Sequence, residues 1–494
     1  MSIKIDGESL DIEEVCAVGR GADVEITNDG WQRIVASYSK LVSLIEGGTQ
    51  VYGVTTGVGK FVSVKIPRSE MGQFQLNLLR SHAVALGEPL SRETVRAAMA
   101  LRLNCFAKGA SAVSPDAVKI LLSFLKRDIT PVVRSRGSLG ASGDLALLAQ
   151  MALPLVGEGM VIYKGKEIPA EEALRKERIV PLKMGPKDAL SFINGTSMFT
   201  AESAFAISEM KRLFEGVVNI TAFMFFLCAS PLVPLDERFS LLRPHKGQAE
   251  VARRLRLLLE DSPRCKESRK IQDVYSLRCA PQVLGAVLDT LSLAESALNT
   301  EISSVSDNPL VFNGEVLSGG NFHGEPLALP LDYAAISVVQ LASLCERHIA
   351  RLMNPDVTGL SAFLSRKPGI ESGLMLAHYV AVSLLNEVRL LSTPATVDRA
   401  VVSLETEDNA SFGMMCALKL RRSVQLSAKI AGLALLCLVE ALDMAEIVRS
   451  LPRRLFEEYR KIRLLAPPLK TDSSYSDSVE KIASLILRGE EARE

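Results

Sequence analysis

Three small residues in a row, Ala141-Ser142-Gly143, have an unusual chemical option. Gly143 carries no side chain, so its backbone nitrogen can approach the Ala141 carbonyl carbon in a conformation that other residues avoid. Attack there closes a five-membered ring. Loss of the Ser142 hydroxyl as water then leaves an exocyclic methylidene, an electrophile made from backbone without an added cofactor. The plainer reading is a Gly-rich turn leading into a buried helix, since the triplet alone is common. On that reading Asp144 sits in the first turn of the following helix, facing its positive dipole end.

The elements that must position this triplet can be read around it. Asp128 to Ser138 is an extended, Pro-containing approach, and the apolar stretch from Leu145 to Val156 predicts a buried helix. Upstream, residues 1–30 predict a small hairpin followed by a first helix. Helices follow from Trp31 to Ile45, from Gln73 to Leu86, and over 91–108 and 115–126. Gly157 to Ile168 reads as a surface hairpin turning at Lys164-Gly165-Lys166. From Ser197 onward the pattern is of long helices, near 198–229, 247–260, 280–304, 328–353, 371–392 and 411–450. The last is apolar around most of its circumference and needs neighbours on several sides. The fold class is therefore mainly α: a long-helix bundle with a small mixed N-terminal part. Residues 1–197 form the N-terminal domain carrying the triplet, 198–450 the bundle, and 451–494 a tail with a last helix.

Composition narrows the function. The 494 residues include 57 basic and 57 acidic side chains, so charge gives no case for nucleic acid or an anionic membrane. The eight cysteines are scattered without a Cys-x-x-Cys pair, and the five histidines show no ligand spacing. No metal site and no disulfide framework is expected. The N-terminus lacks an apolar signal segment, and the longest uncharged stretch, Gly216 to Leu235, is interrupted by prolines. A soluble, cytoplasmic protein with no membrane partner is the expectation.

Several loops carry polar groups with two readings each. Tyr52 lies on a Gly-rich loop, Val51 to Phe61, where it can meet a ligand or pack under its own loop. His82, in Ser81-His82-Ala83, is a lone helical histidine. Asn194-Gly195 is a turn signal before a helix. Gln272-Asp273-Val274-Tyr275-Ser276-Leu277-Arg278, Ser306-Asp307-Asn308-Pro309, Ser318 to Pro326 with Phe322, and Glu405-Thr406-Glu407-Asp408 complete the set.

Gly137-Ser138-Leu139-Gly140-Ala141-Ser142-Gly143-Asp144 resembles the signature of the methylidene-imidazolone (MIO) ammonia-lyase and aminomutase family. The loops above match that family's segments in the same order, from about residue 50 to about 415, and match its histidine-specific members best. The resemblance implies a fold of the ammonia-lyase/fumarase-like type. It implies MIO formed autocatalytically from Ala141, Ser142 and Gly143, with no external cofactor. Tyr52 matches the base that removes the β proton; Tyr275 and Glu407 match further catalytic positions. Asn194, Gln272 and Phe322 match residues lining electrophile and substrate, and Arg278 the arginine that holds the substrate carboxylate. His82 matches the segment that contacts an imidazole. The implied reaction is loss of ammonia from L-histidine to give trans-urocanate, in a homotetramer whose sites are shared between chains. Other readings within reach are another MIO enzyme (a tyrosine or phenylalanine ammonia-lyase, or an aminomutase) and a non-catalytic scaffold. Leu147, Gln150, Thr406, Asn409 and His378 depart from the family's usual residues.

Overall fold

The structure is a computed structural model, and it describes residues 2–488. Among these, 20 α-helices account for most of the order, with short strands in small sheets. The chain divides into two compact units that are discontinuous in sequence. One comprises the residues up to Phe205, Glu295–Leu331 and Ala395–Leu418; the other comprises Ala206–Ala294, Asp332–Pro394 and the residues from Lys419. This differs from the contiguous division at 197 and 450. Three long helices, Ser197–Leu227, Glu325–Leu352 and Gly413–Met444, each start in the first unit and end in the second, so those boundaries fall inside helices; the one between Pro394 and Ala395 falls in a connecting loop.

The first unit begins with a parallel strand pair, Ile3–Ile5 on Val24–Ile26, not the expected hairpin. The reason is local. Asp11 and Glu14 form a capping box that starts helix Ile12–Arg20 between the strands, and a helical crossover returns the chain in the parallel sense. Helix Arg92–Ala107 is buried from Thr94 to Ala107 and packs on Ile12–Arg20, Asn28–Glu46 and Pro115–Lys126. The helix expected to reach Leu86 ends at His82, and Leu86–Pro89 instead pairs antiparallel with Arg134–Arg136. The hairpin Met160–Tyr163 with Lys166–Pro169 is present and adds Ile129–Pro131 as a third strand.

The second unit contains the later parts of the long helices together with Lys246–Leu259, most of Ala280–Ile302, Met375–Leu391, Arg453–Leu465 and Ser476–Arg488. Helix Gly413–Met444 ends short of 450, which falls in a separate 3₁₀ turn, Val448–Ser450. Its buried Glu440 accepts from Arg463 (2.6 Å) and Arg366 (3.1 Å), so the carboxylate is paired where it is desolvated. Glu325–Leu352 and Gly413–Met444 are long and apolar enough to cross a membrane, yet 61% and 89% of their most apolar windows are buried against protein. His378, one of the departures noted above, bonds Glu346 through Nε2 at 2.7 Å. Burial acts to raise the Glu346 pKa, but hydrogen bonds from Arg347 and His378 prevail and hold it below the ordinary range. His378 thus links helix Met375–Leu391 to helix Glu325–Leu352.

Candidate active site

Ser142 lies on a loop between strand Arg134–Arg136 and helix Leu145–Ala152. Gly143 has φ +79° and forms an isolated parallel bridge with Gly195. A Cβ at Gly143 would lie 2.1 Å from the Gly195 carbonyl oxygen, so the two backbones touch only because residue 143 is glycine. The Asp144 N–H donates to that same oxygen at 2.7 Å. Asn194 Nδ2 donates to the Ser142 carbonyl at 2.9 Å, while its buried Oδ1 has no partner among the described residues. The Ser142 hydroxyl donates to Glu407 Oε2 at 3.0 Å.

The loop is clamped by the starts of three long helices. Asp144 is not a cap for its own helix. Its Oδ2 accepts from Met198 N (2.9 Å) and Phe199 N (3.0 Å), at the start of helix Ser197–Leu227, and its Oδ1 accepts from Ser138 Oγ (2.9 Å). Burial raises its pKa to about 6 against those hydrogen bonds. The Gly140 carbonyl accepts from Gly324 N (3.3 Å) and Ser411 Oγ (3.2 Å), and the Leu139 carbonyl from Phe412 N (2.8 Å), just before helices Glu325–Leu352 and Gly413–Met444. The positive ends of these helices thus converge on the triplet.

Two buried cations hold the Asn194 turn from below. Arg102 is fully buried and has no carboxylate partner in this network. Its Nε donates to the Ser191 carbonyl (3.0 Å), Nη2 to the Asn194 carbonyl (3.0 Å) and Nη1 to Ser197 Oγ (3.3 Å), with Phe106 beneath the guanidinium. Lys187 pairs with Asp307 at 2.9 Å, both wholly buried, and also donates to Ser191 Oγ and the Ser111 carbonyl. Burial pushes the Lys187 amine down, opposed by Asp307. Asp307 belongs to the Ser-Asp-Asn-Pro segment, so that segment carries an ion pair as well as a helix stop.

The surrounding pocket holds about 430 Å³ and is lined by Tyr52, Lys60, His82, Ser142, Asn194, Phe322 and Glu407, among others. Tyr52 Oη accepts from Gly59 N at 2.9 Å. His82 Nδ1 lies 2.8 Å from the Leu78 carbonyl. A carbonyl only accepts, so Nδ1 carries the proton and the neutral ring keeps Nε2 as an acceptor. Burial depresses the His82 pKa, against the opposing effects of the Leu78 carbonyl and the Glu407 charge. Neutral imidazole is therefore favoured.

Of the predicted site residues, the first unit thus gathers Tyr52, His82, Ala141, Ser142, Gly143, Asn194, Phe322 and Glu407. Gln272, Tyr275 and Arg278 belong to the second unit and line other pockets there. They form their own cluster: Arg278 hydrogen-bonds Gln272 and sits 5.0 Å over the Tyr275 ring, which is 70% exposed. Sequence reasoning missed Arg102, Lys187 with Asp307, and Ser411. A signal existed for Arg102, the lone charge in the stretch from Ala97 to Ala107; nothing local marks the others.

The family model for aromatic amino acid lyases matches residues 10–461. A histidine ammonia-lyase from Symbiobacterium thermophilum is 39% identical over 98% of this chain and 96% of its own length. The tyrosine aminomutase structure from Streptomyces globisporus superposes with a TM-score of 0.95 at 32% identity, covering 99% of this chain and 97% of the other. The histidine ammonia-lyase structure from Trypanosoma cruzi does so with a TM-score of 0.92 at 32% identity, covering 98% and 93%. With its glycine-paired loop and this full-length likeness, the chain belongs to the aromatic amino acid lyase family.

Proposed function

We propose that this chain eliminates ammonia from L-histidine to give trans-urocanate, using MIO formed from Ala141, Ser142 and Gly143. One observation carries the reading: a single pocket joins the Ser142 loop to two groups, His82 and Glu407, that suit a side chain bearing ring N–H donors. The packing fits the cyclised triplet. Gly143 is held at positive φ against Gly195, and Asn194 donates to the Ser142 carbonyl, the oxygen that becomes the ring carbonyl. MIO would supply an electrophilic exocyclic carbon that captures an amine.

The chain's own residues do the rest. Tyr52, its oxygen already accepting from Gly59 N, removes the β proton. His82 Nε2 and the Glu407 carboxylate are both acceptors, and the substrate's ring N–H donates to one of them; a phenyl ring has no such donor. Arg278 takes the substrate carboxylate in its planar fork. Arg278, Tyr275 and Gln272 cluster on the second unit, and as the resemblance implies they serve the pocket of another copy, in a homotetramer located in the cytoplasm. Co-expressing a Tyr52→Phe chain with an Arg278→Met chain is expected to restore activity that neither variant has alone.

The test of the reaction is a panel of histidine, phenylalanine and tyrosine, followed by the ultraviolet absorbance of the unsaturated acids. Faster turnover of phenylalanine or tyrosine would overturn the substrate. The likeness to a tyrosine aminomutase favours a second outcome, return of ammonia to the β carbon, which a β-amino acid product would reveal.

A further inference from the structure

The pocket's acid–base groups are not equally placed toward the triplet. Tyr52 Oη is engaged by Gly59 N, and His82 Nδ1 by the Leu78 carbonyl. Glu407 is the group that meets the Ser142 hydroxyl, at 3.0 Å. A Ser142 hydroxyl exists only before dehydration, so a contact made to it can act only in building the electrophile, not in the substrate reaction. Glu407 sits in a tight loop, its backbone paired with Val402 in an antiparallel bridge, which fixes where the carboxylate starts. The Ser142 carbonyl accepts from Asn194 Nδ2, a bond that makes the Ser142 Cα–H more acidic.

We propose that Glu407 also acts before any substrate arrives, as the proton shuttle that dehydrates Ser142 and so builds the electrophile. The Ser142 Cα–H and Cβ–Oγ bonds break and Cα=Cβ forms. The carboxylate takes the Cα proton and delivers a proton to Oγ, which leaves as water, and Glu407 returns to its starting state. Ring closure, which joins Gly143 N to the Ala141 carbonyl carbon and releases the other water, does not require this carboxylate. The inference rests on the MIO reading above.

Intact mass of purified, substrate-free protein tests it. The parent chain is expected to show the loss of two waters; if it shows none, the MIO reading itself fails. Glu407→Gln is expected to lose at most one water in most molecules, with the Ser142 hydroxyl retained in the loop peptide. Loss of two waters in Glu407→Gln, as fast and as completely as in the parent, overturns the inference while leaving MIO intact. If Glu407→Gln does not fold, Glu407→Asp carries the test, with the second water loss timed during cell-free synthesis of the full chain. A slowing of tenfold or more supports the shuttle, and a parental rate refutes it.

Discussion

Gly195→Ala separates packing from chemistry, because Gly195 contributes no atom to the proposed ring. Its φ is +149°, and an added Cβ would lie 2.3 Å from Arg102 Nη1 and 2.9 Å from both the Ser306 carbonyl oxygen and its Oγ. Ordinary contact begins near 3.4 Å, so the Ser306 backbone must retreat by about half an ångström and the guanidinium by more. The guanidinium is fastened to the Ser191 and Asn194 carbonyls and cannot swing away without leaving them unpaired. Backbone strain of about 1–3 kcal/mol adds to about 1–3 kcal/mol for overpacking, giving roughly 2–6 kcal/mol of destabilisation. Any shift of the turn also moves the Gly195 backbone that bridges Gly143 and accepts the Asp144 N–H, so both contacts to the triplet loop are disturbed. The assay is twofold: urea unfolding, and intact mass for the loss of water. A variant within about 1 kcal/mol of the parent that still loses two waters would refute the claim that Gly195 shapes the loop.

Other outcomes follow from the same geometry. Arg102→Met removes three donors and leaves buried carbonyls unpaired, at about 1–3 kcal/mol for each; its mass should show incomplete cyclisation, while Arg102→Lys should restore part of it. Asp144 has its folded pKa raised from 3.8 to about 6. Its contribution to stability is therefore fully present below the unfolded value and is lost as pH rises through about 6, by roughly 3 kcal/mol. Urea unfolding at pH 4.5 and 7.5 should find Asp144→Asn gaining on the parent at the higher pH; a constant difference would contradict the assignment. His82→Leu removes the Nε2 acceptor, so kcat/KM for histidine should fall by about 5- to 150-fold, as expected for about 1–3 kcal/mol, with phenylalanine turnover spared. Because burial depresses the His82 pKa, protonation should weaken histidine binding only on the acid side of the ordinary imidazole range, and a pH profile of kcat/KM checks this.

The sequence determined a good deal by itself. Periodicity located the long helices to within a few residues, since burial of one face repeats every turn whatever the neighbours are. The order of loop motifs was enough to recognise the family, and Ala141-Ser142-Gly143 named the chemistry from residue types alone. What it could not reach was anything set by distant pairing. Asp144 reads as a first-turn charge facing the dipole of the helix beside it, yet its carboxylate serves Met198 and Phe199, more than fifty positions away. Ser142 finds Glu407 at a separation of 265 residues, and Lys187 finds Asp307 at 120. Four of the five unit boundaries were out of reach for a related reason: composition marks linkers, and these fall inside helices, the exception being the loop at Pro394 and Ala395. Local propensity and period are properties of short stretches, whereas hydrogen bonds between buried groups depend on which stretches the tertiary fold brings within about 3 Å. The helices and the reactive triplet were thus legible in the chain, while the partners that aim and charge the triplet were decided only by folding.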